Sequence, residues 1–315
     1  MEEVYMEIDV KTKLYIDNVA REFNSTADSR LNEVSTIIKQ LNDFIEGKSE
    51  LSTKGIEERL DELIGYYTIT LDLPVPEDLK ILRAKKFEEG KDEKPCFSRV
   101  DELSYPPSKY VALGRCNKKS ESIYYACLYS SESLGNHHVA FSEVNAIKGD
   151  RVNVLRSEFN GNVHLRYIGI WNHVFRDIQP NILSLNQWLY YKKVYKYMQN
   201  KFDTDLFVSY QICDAFFADI LRCKGSKKLY KVTSILSAMF LESGKADGIL
   251  YTSVKSEGSP VVALSTKAVN DKLKHISTES FEIKEDYGYS KFRAKNLYSG
   301  TIEGSGKINW VVEDA

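Results

Sequence analysis

From Leu14 to about Tyr67 the apolar residues recur every three or four positions, the spacing of one face of an α-helix. Leu31, Val34, Ile37, Ile38, Leu41, Phe44 and Ile45 make one stripe, with Asp28 or Ser29 placed to cap its start. Ile56, Leu60, Leu63 and Ile64 make a second after Ser52 and Thr53, and Leu14, Val19 and Phe23 suggest a third ahead of both. Residues 1–75 therefore read as a small helical N-terminal domain. Two prolines in the segment Leu71 to Glu77 remove backbone donors and favour extended chain, so a linker is expected there, with a boundary near residue 75.

Beyond the boundary, strand-like and helix-like stretches mix. Asp78 to Arg83 reads as a first strand and Phe87 to Pro95 as a charged surface loop. Ser122 to Tyr129 is dense in aromatic and β-branched residues and predicts a buried strand. His138 to Val144 reads as a helix and Arg151 to Phe159 as another strand. Helical spacing returns over Leu183 to Phe202, with Trp188, Leu189, Tyr195 and Met198 on one side, then over Leu206 to Cys223 and Tyr230 to Glu242, the last stopped by Gly244. Gly248 to Val254 and Pro260 to Ser265 follow as strands joined by a Gly/Ser turn. The expected class is α+β, with residues 76–315 as the second domain.

Composition narrows the function classes. The 315 residues are 43% hydrophobic and 28% charged, an ordinary globular balance with material for a sizeable core. A formal net charge of -2 gives no excess to draw the chain onto a phosphate backbone, so nucleic acid is not the expected partner. The runs Lys227 to Lys231 and Lys192 to Lys196 mix lysine with tyrosine, but the latter sits on an amphipathic helix, where its lysines read as a solvated face. Five cysteines form no CxxC pair, the N-terminus shows no basic-then-apolar signal, and no apolar run reaches the ~18 residues of a membrane span. A cytoplasmic, membrane-free protein with reduced thiols is the expectation. No HExxH is present and the adjacent His137 and His138 diverge, so no metal is expected; Gly304 to Lys307 reads as a plain turn.

Five short motifs stand apart because of their order. They are ILRA (Ile81 to Ala84), GRCN (Gly114 to Asn117), IYYA (Ile123 to Ala126), AFSEV (Ala140 to Val144) and DGILYTS (Asp247 to Ser253). In this order they resemble the RES-domain family, named for its arginine, glutamate and serine, over about residues 78 to 265. The chain departs from the family pattern at Cys116, often aromatic there, at Ala84, and in a longer helical stretch between Glu143 and Ser253.

The resemblance implies an ADP-ribosyltransferase-like mixed sheet with flanking helices, and NAD as the substrate. Family members look like toxins of toxin–antitoxin pairs or defence effectors that break the nicotinamide–ribose bond, passing ADP-ribose to water, phosphate or a protein side chain. On the matching positions, Arg83, Tyr124 and Glu143 become the candidate catalytic residues, and Arg115, Asn117, Tyr251 and Ser253 the candidate NAD-binding residues. The chemistry suits these types. Guanidinium groups grip diphosphate oxygens in pairs, a tyrosine face stacks on nicotinamide, and a carboxylate stabilises positive charge developing on the ribose. Asn117 would fix the loop that carries Arg115. A neutralising protein partner, or autoinhibition by the N-terminal helices, is the corollary of such an activity. The rival reading is a non-catalytic module that keeps the fold and holds a protein partner through those helices.

Overall fold

The computed structural model describes residues 7–67, 72–74, 79–87, 96–129, 136–180, 182–242, 246–253, 255–256 and 259–313. Among them the helices are α1 (Val10–Phe23), α2 (Ala27–Ile45), α3 (Thr53–Tyr66), α4 (Val100–Leu103), α5 (Asn136–Glu143), α6 (Ile170–Phe175), α7 (Leu185–Lys201), α8 (Thr204–Arg222), α9 (Lys227–Glu242) and α10 (Thr266–Lys272). The strands are β1 (Asp72–Pro74), β2 (Lys80–Phe87), β3 (Ile123–Tyr129), β4 (Arg151–Phe159), β5 (His164–Tyr167), β6 (Gly248–Thr252), β7 (Pro260–Ser265), β8 (Leu273–Asp286), β9 (Phe292–Ile302) and β10 (Ile308–Val312). The chain is thus α+β, one sheet with flanking helices. No described helix is long and apolar enough to cross a membrane.

Two compact units divide the chain, each assembled from two segments. The first joins residues 1–71 to Tyr167–Leu236, and the second joins Asp72–Arg166 to Ser237–Ala315. The N-terminal helices therefore share their unit with α6, α7 and α8, which the reading by sequence had assigned to the second domain.

In the helical unit the predicted stripes become the packed faces. Val34, Ile37, Leu41 and Phe44 of α2 and Ile56, Leu60 and Leu63 of α3 are buried, and α2 packs on α8. Caps follow local chemistry: Asp9 accepts from Thr12 N at 2.9 Å, and Ser52 from Gly55 N at 3.0 Å. Two expectations need correction. The start of α2 is capped by neither Asp28 nor Ser29; it begins at Ala27, directly after a 3-10 turn at Asn24–Thr26 that continues from α1. Leu14 is exposed, and α1 buries Ile16, Val19 and Ala20 instead. The lysine runs make ion pairs on the surface of this unit, Lys192 with Asp177 at 2.7 Å and Lys228 with Glu50 at 2.6 Å.

The second unit holds the sheet, in strand order β1-β5-β6-β7-β3-β2-β4-β8-β9-β10. One face buries Phe87, Phe97, Leu103, Leu155 and Ile308 as a cluster. The stretch read as a linker contains β1, whose Pro74 sits opposite His164 on an edge strand, where a missing backbone donor is tolerated. Phe87, expected in a loop, closes β2 and is buried; residues 88–95 and Gly244 lie outside the described residues.

Candidate active site

The site begins where two strands part. β2 stays in register with β4 from Lys80↔Glu158 to Phe87↔Arg151, but pairs with β3 only as far as Leu82↔Cys127. At the divergence lies a cavity of about 330 Å³, lined by Leu82, Arg83, Ala84, Lys86, Tyr125, Cys127, Ala140, Glu143 and Val261 among others.

Arg83 spans the divergence. Its Nη1 donates to Tyr125 O at 2.9 Å, and its Nε donates to Leu103 O at 3.0 Å and Ser104 O at 3.1 Å. The guanidinium also lies 5.2 Å from the centre of the Tyr124 ring, a cation–π contact. A planar fork with five donors can hold backbone on one side and still present N–H groups on the other.

Helix α5 supplies the acid. It packs on β2 and β3, and it stops after Glu143 because Asn145 takes a left-handed φ of 50° and the amide of Ala146 returns to Phe141 O at 3.0 Å. Ser253, buried at the end of β6, donates its hydroxyl to Glu143 Oε1. The same Oγ accepts from Lys255 N at 3.0 Å and Ser256 N at 3.2 Å, so the turn after β6 fixes the serine. Lys255 Nζ then donates to Glu143 O at 2.7 Å, placing a cation on a helix C-terminal carbonyl, where the helix dipole favours it. Two motifs 110 residues apart in sequence thus meet at one carboxylate.

The GRCN loop is tied to the cavity through Tyr125. Asn117 Nδ2 donates to Ala112 O at 2.8 Å and Lys118 O at 2.9 Å, and Tyr125 OH donates to Asn117 Oδ1 at 2.8 Å while accepting from Cys116 N at 2.8 Å. A Cβ at Gly114 would stand 2.3 Å from Asn117 Oδ1, so this close approach requires glycine. Asn117 therefore holds the loop, and the half-buried Arg115 on it lies close enough for its charge to act on Tyr251 and Lys255. Tyr251 is buried beside Cys116, and burial pushes its hydroxyl well above the usual phenol range. Burial, with the Arg115 and Lys86 charges, holds the Lys255 ammonium below its ordinary value despite Glu143.

Tyr124 is a correction. Expected as the stacking surface, it is completely buried on the opposite face from the cavity, its OH 3.4 Å from Ser157 Oγ and pushed up to about 12 by burial. Ser157 in turn lies 2.8 Å from His275 Nδ1. Tyr125 is the tyrosine that lines the cavity. Strand alternation puts neighbours on opposite faces, and packing against α5 decides which face becomes the site.

Lys255, Lys86 and Tyr125 were not among the expected site residues. Only the position of Lys255, two residues after Ser253, could have drawn attention to it. Lys86 pairs with Asp150 at 2.6 Å. The paired histidines diverge as their adjacency required: His137 Nε2 meets Glu279 at 3.1 Å, and His138 Nδ1 accepts from Phe292 N at 3.1 Å. Among the described residues no group of His, Cys, Asp and Glu is placed to hold a metal ion. The chain matches no protein-family model, and no curated protein matches its sequence.

Proposed function

We propose that the sheet-bearing unit is an NAD-consuming enzyme of ADP-ribosyltransferase-like type, cleaving the nicotinamide–ribose bond at the β2/β3 cavity. The observation that carries this reading is the meeting of Glu143 with Ser253, from two separate motifs, at a cavity that Glu143 and Arg83 both line, with the charge of Arg115 acting on the neighbouring Lys255. Glu143, oriented by Ser253, is the group that stabilises positive charge on the sugar as the bond breaks. Arg115, Lys255 and Lys86 supply the positive charge that would face a diphosphate, and Tyr125 is the aromatic wall at the nicotinamide end. At about 330 Å³ the cavity is at the lower end of the range for ligand pockets, roughly 300–1,000 Å³, and fits the nicotinamide-ribose half of the molecule. The acceptor is water, phosphate or a protein side chain, and the activity calls for a neutralising partner or for restraint by the N-terminal helices.

One observation favours the alternative, a binding module without catalysis: Nε and Nη1 of Arg83 are engaged by backbone carbonyls, as in an arginine kept for structure. The two readings separate in one experiment. Purified protein and Glu143→Gln are incubated with NAD, with and without phosphate, and nicotinamide and ADP-ribosyl products are followed by mass spectrometry. The enzyme predicts release that falls by roughly 10²–10³-fold in the variant, the size expected for removing one transition-state contact. Equal release from both proteins, or none from either in the presence of cell extract, rejects it.

A further inference from the structure

We infer that the tip of the β8–β9 hairpin is the adenine-binding end of this site, with Tyr289 and Tyr287 as its stacking surface. The inference rests on the reading of the cavity as a dinucleotide site and extends it to a segment outside every motif that suggested the activity. The tip, residues 287–291, presents Tyr289 at 81% and Tyr287 at 60% exposure. Folding leaves most of both rings in water.

The backbone there is unusual as well. Gly288, Tyr289 and Ser290 all take left-handed φ values, of 75°, 51° and 54°. Residues with a Cβ adopt that conformation at a cost, and two in succession require the surroundings to hold them. Two hydrogen bonds close the turn, Tyr287 N to Lys291 O and Lys291 N to Gly288 O, both 2.9 Å.

The tip is also tied to the candidate site. Ser290 Oγ donates to Lys255 O at 2.8 Å, and the ammonium of the same lysine donates to Glu143 O at 2.7 Å. Just past the tip, Phe292 N donates to His138 Nδ1 at 3.1 Å, on the helix that ends in Glu143. One residue thus links the tyrosine-bearing turn to the catalytic helix. A cavity of about 330 Å³ holds one half of a dinucleotide, so the other half must continue past its mouth. Lys255, hydrogen-bonded to Ser290 of the tip on one side and to Glu143 on the other, is the cation between them for the diphosphate, and Lys291, whose charge acts on His138, flanks the tyrosines. A purine beyond the diphosphate would meet an exposed aromatic face, and base–aromatic stacking is a large and sequence-tolerant source of affinity.

The test compares NAD with nicotinamide mononucleotide, which lacks the adenosine half, on the full chain. KM and kcat for nicotinamide release are measured for wild type, Tyr289→Ala, the Tyr287→Ala/Tyr289→Ala double variant and Tyr289→Trp. A contact to the remote half contributes uniform binding, so KM for NAD should rise about ten-fold or more in the double variant with kcat nearly unchanged. KM for the mononucleotide should not move, and Tyr289→Trp should behave as wild type. A double variant with wild-type KM for NAD, or with both KM values raised together, overturns the inference while leaving the enzyme reading in place. AMP titrated against wild type and double variant gives a readout without turnover: binding by wild type that the variant loses supports the tip as the site, and binding equal in the two, or absent from both, overturns it. A folded wild type that releases nicotinamide from neither substrate marks failure of the enzyme reading itself.

Discussion

Asp214 of the helical unit offers a stability measurement that owes nothing to any assumed activity. Its carboxylate is completely buried and accepts from Tyr67 OH at 2.6 Å and Gly169 N at 3.1 Å on Oδ1 and from Asn172 N at 2.8 Å on Oδ2, with the Trp171 backbone amide as a further donor. It thus ties the end of α3 and the start of α6 to α8. The donors favour the charged form, but loss of hydration outweighs them and raises the carboxyl from 3.8 to about 6. A carboxyl with a raised folded-state value contributes stability that is complete below about pH 3.8 and is lost as the pH climbs through about 6. A gap of roughly two pH units corresponds to about 3 kcal/mol. The perturbation is Asp214→Asn, which stays neutral throughout; groups that titrate alike in both proteins cancel in the difference. Any penalty for turning an amide N–H toward a donor is a constant offset. Urea unfolding, followed by tryptophan fluorescence that includes Trp171 in α6, is measured between about pH 4 and about pH 7. Wild type should lose about 2.4 kcal/mol relative to the variant across that interval, since part of the loss is already present at about pH 4. A wild-type-minus-variant difference that is flat, or that grows with pH, refutes the assignment of burial as the dominant cause.

Two further predictions concern the site loop. Tyr125→Phe removes the hydroxyl that joins Cys116 N to Asn117 Oδ1 and should cost roughly 1–3 kcal/mol in urea unfolding, with reduced nicotinamide release. Tyr124→Phe loses only a 3.4 Å contact to Ser157 and should stay within about 0.5 kcal/mol of wild type, so the reverse ranking would undo the assignment of the two tyrosines. Gly114→Ala would force a methyl to 2.3 Å from Asn117 Oδ1, an atom already held by Tyr125, so the loop must shift. Loss of Arg115-dependent NAD binding in calorimetry, with little change in the thermal midpoint, is the expected result, and unchanged binding would show that the loop does not need that close approach.

What could be read in the sequence is what neighbouring residues decide among themselves. The 3.6-residue period located α2, α3, α7, α8 and α9, and the dense apolar strands β3, β4 and β7 stood out to within a residue. The loop role of Asn117 was legible because GRCN is a local unit. Where faces are mixed the signal fades: β8 alternates half-buried and buried positions without a clean apolar side, and the C-terminal meander β8–β10 went unread, as did β5 and α6. Alternation along β3 required Tyr124 and Tyr125 to face opposite ways, but not which way. That choice belongs to the helix packed on one side of the sheet. The pairing of α1–α3 with α6–α8 in one unit, the parting of β2 from β3 after Leu82, and the meeting of Glu143 with Ser253 and Lys255 were likewise decided only by tertiary structure. Local preference acts within a turn of helix or a single strand. The sheet order that brings residue 143 to residue 253 is set by burial and hydrogen-bond satisfaction summed over the whole unit.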